Sequence, residues 1–383
     1  MTWTPRRTGP DRLHVLVAGG GVGALEAAFA LRALAGDLVS LELLTPEPRF
    51  FYNPQAVFEP FGGIRVQSFE LASLASALEA HLTLGRLASV SPGAHVVRTN
   101  QGLTLPYDVL VVACGALPRP ALRGPVTFRG PADSDRVAAI ARDANRGDLP
   151  AITIAIPTPR TWLLPLYELA FGLRDATRVR VTIATVEPTP AAALGQAGSA
   201  YLAELIARHA IELRTDVDFE RHPPEDVTLA APELSAGRIY GIPADESGFI
   251  PTNCLGAVHG VPDVYAVGDI TSYAVKHGSL AAAQADTAAG AIAARVDDSI
   301  VPKPFKPILH ARLALGRETV YVRRDLGDPG DPGTVSPEPL WHPAAKIFAR
   351  YLAPALAEIS RASASDHGDA SGPRSTSSSY SGT

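Results

Sequence analysis

His14-Val-Leu-Val-Ala-Gly-Gly-Gly-Val-Gly-Ala-Leu-Glu-Ala-Ala28 decides the fold of this chain. A short apolar strand runs into glycines and then into an alanine-rich helix. The spacing is Gly19-x-Gly21-x-x-Ala24, with Gly20 and Gly23 in addition. Gly19 permits the tight turn, Gly21 lets the backbone approach a pyrophosphate, and Ala24 lets the helix pack close to the strand. The helix N-terminus then offers free N–H groups and a partial positive charge to the phosphates. A purely structural glycine turn has the same composition. Here, however, a strand precedes and a helix follows, which is the context a dinucleotide site requires.

The chain outward from this motif alternates strands and helices. A helix over about 23–35 leads to a second strand, Leu38 to Leu44, completing the first strand–helix–strand unit. An acid near the end of such a strand binds ribose hydroxyls, and Glu47 is the candidate; a solvated loop residue is the alternative. The aromatic segment Phe50-Phe-Tyr-Asn-Pro54 reads as a packed loop or as a wall beside a flat ring. A helix-like run follows from Phe69 to Ala80, then strands at His95 to Arg98 and Leu103 to Leu105. Tyr107-Asp-Val-Leu-Val-Val-Ala-Cys-Gly115 is a buried strand ending at a glycine. Val264-Tyr-Ala-Val-Gly-Asp269 ends similarly and precedes an alanine-rich helix, Ser279 to Arg295. Between the two lies a second alternating region. It has strands at Ala151 to Ile156, Arg178 to Ala184 and Ile211 to Arg214, and helices at Tyr167 to Leu173 and Gly198 to Ala210.

Composition excludes several classes. The length of 383 residues suffices for two or three domains. The 34 Lys and Arg are spread along a chain of net charge −5, so no basic block points to nucleic acid. Two cysteines exclude a disulfide scaffold and a cysteine metal cluster, and no metal site is expected. Met1 to Arg7 lacks the apolar core of a signal peptide, and no run of about 18 uncharged apolar residues occurs, so a cytoplasmic chain without a spanning helix is expected. Pro343 to Leu356 reads as amphipathic. It suits a helix packed on the body, a peripheral membrane contact, or the closing of a hydrophobic channel. The Ser-, Gly-, Ala- and Asp-rich composition after it predicts a disordered tail over 359–383.

With the glycine turn, the Ala113-Cys-Gly115 strand end and Val267-Gly268-Asp269 in this order, the chain resembles the two-dinucleotide-domain flavoproteins. Within them it is most similar to the sulfide:quinone oxidoreductase and type II NADH dehydrogenase branch. The resemblance implies an α/β fold of two Rossmann-like domains, the second inserted in the first, plus a small C-terminal segment. The expected boundaries are 11–115 and 255–300 for the FAD domain, 116–254 for the second domain and 301–358 for the C-terminal segment. It implies FAD as cofactor, with Gly19, Gly21, Gly23 and Ala24 at the pyrophosphate, Ala113 and Gly115 beside it, and Pro54 near the isoalloxazine. Asp269, behind Gly268, would hydrogen-bond the ribityl or pyrophosphate end, as an acceptor-only carboxylate suits hydroxyls and N–H groups. Lys276-His-Gly-Ser279 would lead into a helix whose start, at Gly278, faces the flavin N1–C2=O edge and stabilises the negative charge of reduced flavin. Lys276 and His277 are the catalytic candidates there, with Lys276 as a plain surface lysine the alternative. Glu168, in a Pro-Leu-Tyr-Glu sequence similar to that of the sulfide enzymes, is the third. The partners implied are a small-molecule electron donor and an acceptor such as a quinone.

Two departures from the family pattern bear on function. In NADH-using relatives the second unit has its own glycine turn. Here the strand Ile152 to Ile156 is followed by Pro157-Thr-Pro-Arg-Thr-Trp-Leu-Leu-Pro165, without glycine. Prolines remove N–H donors and side chains block a close approach of pyrophosphate, which argues against ordinary NAD(P)H binding, although Glu187 sits where a ribose acid is expected. The sulfide enzymes also use a pair of redox cysteines. Cys114 and Cys254 read instead as small buried residues, and no Cys114–Cys254 bridge is expected. An FAD-dependent oxidoreductase is therefore the primary reading. An NAD(P)H:quinone or NAD(P)H:acceptor reductase, and a flavin-fold protein that binds or senses without turnover, are the alternatives.

Overall fold

The computed structural model describes residues 12–63, 65–221, 226–315 and 318–368. The chain starts with β1 (Leu13–Ala18), α1 (Val22–Ala35), β2 (Val39–Thr45), β3 (His81–Leu84) and β4 (Val109–Val112). It then builds β5 (Val126–Thr127), α2 (Ser134–Arg146), β6 (Ala151–Ile156), α3 (Leu164–Ala176), β7 (Arg180–Thr185), α4 (Gly195–Arg208), β8 (Glu212–Arg214) and β9 (Val227–Ala230). β10 (Val264–Ala266) and α5 (Gly278–Ala293) follow, and then β11 (Ile308–Leu315), β12 (Glu318–Asp325), β13 (Thr334–Ser336) and α6 (Leu352–Gly368).

These form two parallel sheets, ordered β10-β4-β1-β2-β3 and β5-β9-β6-β7-β8. β10 pairs with β4, Val264 opposite Leu110, so the chain returns to the first sheet only after completing the second. The strands Leu117–Pro120 and Pro232–Ser235 pair antiparallel and carry the chain out and back. Helices cover one face of the first sheet and an antiparallel sheet within residues 87–106 covers the other, which is why Val109–Val112 are all apolar and buried. A third, antiparallel sheet β11-β12-β13 packs its alternate residues Leu309, Ala311, Leu313 and Leu315 into the core of the second domain.

α1 and α5 pack on each other through small residues: Ala24, Ala27 and Ala28 on one, Ala282, Ala285 and Ala289 on the other. Side chains this short let the helix axes approach closely. Gly19 has φ +146°, and a Cβ there would stand 2.2 Å from the Ala113 carbonyl oxygen. The turn after β1 thus requires glycine to let β4 end beside it.

Three expectations need correction. The run Phe69 to Ala80 is helical only over Leu71–Ala77. Phe69 is taken by a short antiparallel pairing opposite Phe50, and Glu79, at φ +49°, ends the helix. Pro343 to Tyr351 is irregular, and its apolar side faces inward. The Ile347 N–H goes to Tyr52 Oη at 2.8 Å, and the Tyr351 and Leu352 N–H groups go to Glu26 at 3.0 and 2.6 Å. Ile347, Ala349, Leu352 and Leu356 join the core of the first domain. These side chains are therefore not a membrane-facing surface. Finally, α6 runs on to Gly368, so part of the expected disordered tail is helical, while residues 369–383 lie outside the described residues. Leu352 and Leu356 anchor the first turns, and a helix once nucleated propagates readily. Among the described residues no helix is long and apolar enough to cross a membrane.

Candidate functional site

A cavity of about 640 Å³ lies at the carboxyl ends of both parallel sheets, where open α/β sheets bind ligands. Gly21, Gly23, Pro54, Ala113, Gly115, Gly268, Asp269 and Gly278 line it, together with Lys276, His277 and Glu168. Gly21, at the start of α1, has nothing within 4 Å of where a Cβ would stand, so the backbone there is open to an approaching ligand. Gly19 and the fully buried Ala24 shape the turn from behind. Gly268, at φ +78°, donates its N–H to Gln284 Oε1 at 2.7 Å, a bond that ties the turn to α5. Gly278 has a different reason: a Cβ there would lie 2.7 Å from Ile347 Cδ1, so it makes room for the C-terminal segment. Glu47 is exposed beyond β2 and does not line the cavity; its N–H faces Thr45 Oγ1 at 3.4 Å.

The charged groups are held individually. Asp269 Oδ2 accepts from the Trp162 indole N–H at 2.7 Å. Burial raises the Asp269 pKa, while the Trp162 hydrogen bond and the Lys276 charge oppose the rise. Lys276 is buried, with Nζ donating to the Thr271 carbonyl at 2.5 Å and lying 4.1 Å from the Phe249 ring centre. Burial lowers its pKa to about 8, so the surface-lysine alternative does not hold. His277 caps α5: its Nδ1 accepts the Ser279 N–H at 3.2 Å and sits 2.8 Å from Ser279 Oγ. Burial, with His310 and Lys346 nearby, lowers its pKa to about 4, so the ring is neutral at physiological pH. The positive end of α5 is therefore supplied by backbone and not by imidazolium.

Glu168, on α3, accepts from the Ala314 N–H at 2.8 Å and from Lys346 Nζ. Lys346 also lies 4.8 Å from the Phe58 ring centre. This buried ion pair joins the second domain to the C-terminal segment across the cavity. Lys346 was not singled out by the sequence reading; its only signal was a lone cation in the apolar run Ala345-Lys-Ile-Phe348. Trp162 and Arg312, which also line the cavity, were missed too. They converge only through tertiary contacts.

Both cysteines are free; Cys254 is exposed, contrary to the expectation of burial, whereas Cys114 is exposed as a residue but burial around its thiol pushes the pKa up to about 12. Cys114 lies past the end of β4, where the sheet no longer covers it, with Sγ 3.4 Å from the Ala18 carbonyl. Its neighbours Ala113 and Gly115 line the cavity, and neither thiol does. A double Cys114→Ser, Cys254→Ser variant is expected to keep its ligand and its turnover. Loss of turnover with the ligand still bound would place a thiol in the reaction.

No family model matches the chain. A curated relative, the sulfide-quinone reductase of Aquifex aeolicus, is 34% identical over 104 residues, 27% of this chain and 24% of the relative. The match thus spans about a quarter of that protein's length. Among solved structures, the sulfide:quinone oxidoreductase from Aquifex aeolicus superposes with a TM-score of 0.75 at 18% identity, over 85% of this chain and 86% of that one. A ferredoxin reductase from Rhodopseudomonas palustris gives 0.63 at 16%, covering 82% of each chain. The NADH:rubredoxin oxidoreductase from Clostridium acetobutylicum gives 0.58 at 14%, covering 83% of each. With its two parallel sheets, its inserted second domain and its third sheet, the chain has the two-dinucleotide-domain fold that these solved structures share.

Proposed function

We propose that the chain is an FAD-dependent oxidoreductase that passes electrons from a small-molecule donor to a quinone or another acceptor. One observation carries this reading. The glycine turn, the β4 end, Gly268-Asp269 and the start of α5, four separate stretches of sequence, line a single cavity. The residues fit the cofactor. Gly21 and the N-terminus of α1 would hold the pyrophosphate, Asp269 the ribityl hydroxyls, and Pro54 and the start of α5 the flavin ring. FAD, when bound, would supply the electron transfer. The chain's own residues do the rest. The start of α5 faces negative charge with backbone N–H groups, and Lys276, with a pKa near 8, can hold or release a proton near neutral pH. Glu168 and Lys346 place a compensated charge pair at the wall. The quinone acceptor is supported by the name of the Aquifex aeolicus relatives and no longer by the C-terminal segment.

The loop after β6 favours a donor other than NAD(P)H. It contains no glycine, Pro165 sits in the first turn of α3 without an N–H to offer, and the loop is fastened over the cavity by Trp162. Calorimetric titration with NADH and NADPH is expected to give no binding at physiological concentrations. Anaerobic mixing with either should leave the flavin absorption band unbleached over seconds. A micromolar dissociation constant, or rapid bleaching, would sink this part and make the chain an NAD(P)H:acceptor reductase. The absorption spectrum of the purified protein tests the whole reading. A yellow protein with one FAD per chain is expected. A colourless chain that takes up no FAD would favour a binding or sensing protein.

A further inference from the structure

The loop 157–163 follows β6 at the place where a dinucleotide-binding unit makes its phosphate turn. Here it is fastened at three points, none of them suited to a nucleotide. The Arg160 carbonyl accepts from Leu234 N–H at 3.1 Å. The Arg160 guanidinium donates to Ser247 Oγ at 2.5 Å and lies 5.6 Å from the Phe249 ring centre. Trp162 Nε1 donates to Asp269 Oδ2 at 2.7 Å. Phe249 carries Arg160 and Lys276 on its ring, so the loop and the lysine beside Asp269 share one support.

We infer that the second domain completes the FAD site of the first, with Trp162 as the residue that orients the Asp269 carboxyl for the cofactor. The inference rests on the FAD reading above. Asp269 sits at the second flavin-domain turn, and among the described residues its carboxylate accepts one side-chain hydrogen bond, from the loop after β6. That bond fixes the rotation of the carboxylate and occupies Oδ2, leaving Oδ1 for a ligand hydroxyl. It also opposes the effect of burial. A desolvated carboxyl takes up a proton unless an N–H or a cation favours its charged form, and here Trp162 and Lys276 are the two that do. An indole donates and never accepts, so its partner must be the acceptor. The position that relatives give to a second nucleotide thus serves the first one, which is consistent with the missing glycine turn.

The experiment reconstitutes apoprotein with FAD and follows flavin fluorescence to obtain the dissociation constant between pH 5 and 9. Trp162→Phe keeps the ring and removes the N–H, and Asp269→Asn keeps the shape and removes the charge. Trp162→Phe is expected to weaken FAD binding about tenfold at neutral pH, the scale of one hydrogen bond to a charged group. Because the Asp269 carboxyl then protonates more readily, the pH below which FAD is lost should move upward relative to wild type. Asp269→Asn should weaken binding without that pH dependence, and adding Trp162→Phe to it should cost no more. Trp162 lines the cavity, so FAD binding should quench its emission, and the total quenching should be smaller in the Phe variant, where Trp3 and Trp341 are the remaining emitters. Wild-type affinity and an unmoved pH profile in Trp162→Phe would overturn the inference while the FAD reading stands, as would additive effects in the double variant. A wild-type chain that takes up no FAD would overturn the functional reading and this inference with it.

Discussion

Replacing Gly21 by glutamate is expected to abolish FAD binding while leaving the apoprotein folded. The backbone at Gly21 has φ −96°, which any residue adopts, and a Cβ there meets nothing within 4 Å. A side chain is therefore accommodated by the protein and projects where a pyrophosphate must approach. The carboxylate adds charge repulsion against the phosphates and cancels the favourable field of the α1 N-terminus. Affinity should fall about a hundredfold or more, equivalent to about 2.7 kcal/mol. The glycine two positions earlier gives the opposite result and so acts as a control. Gly19→Ala would set a Cβ 2.2 Å from the Ala113 carbonyl in a backbone conformation that L-residues rarely adopt. It should destabilise the apoprotein, read as a lower unfolding midpoint without ligand. Full flavin occupancy with wild-type affinity in Gly21→Glu would show that the turn at 19–24 does not carry the phosphates.

The same contrast explains what was legible in the sequence. Gly19, Gly21 and Ala24 act through backbone geometry within six residues of each other, so spacing alone exposes them. The parallel strands were legible for a related reason: sheets buried on both faces demand unbroken apolar runs such as Val109–Val112. The C-terminal segment was not legible, because its helix-like pattern over 343–351 loses to hydrogen bonds from far along the chain. Tyr52 and Glu26 take the N–H groups that a helix would have used. Lys276 read equally well as a surface residue, because nothing local says that Phe249 and the Thr271 carbonyl will enclose it. Trp162 is a similar case: its role depends on Asp269, more than a hundred residues away. Local backbone demands are written locally, whereas the partners of buried charges are fixed only when the second domain closes on the first.

Replacing Lys346 by methionine is expected to lower stability by about 3–5 kcal/mol, the usual cost of stranding one member of a buried ion pair. Glu168 would keep the Ala314 N–H, but its side chain is only 3% exposed and would have no cation in contact. Its charge would then be left uncompensated unless the C-terminal segment moved away from α3. A lower midpoint in chemical denaturation checks this, and an unchanged midpoint would show that the pair contributes nothing to the fold. The double variant Glu168→Gln, Lys346→Met separates stability from function. Removing both charges avoids the stranded carboxylate, and buried pairs replaced together are often neutral for stability. The double variant should therefore recover most of the loss. If stability were the only reason for the pair, turnover with a competent donor would recover as well. The expected result is that it does not. The pair lines the cavity in which Lys276 and the start of α5 lie, and a charge held there against desolvation acts on whatever binds beside it. Wild-type turnover in a stable double variant would instead assign Glu168 and Lys346 to the fold alone.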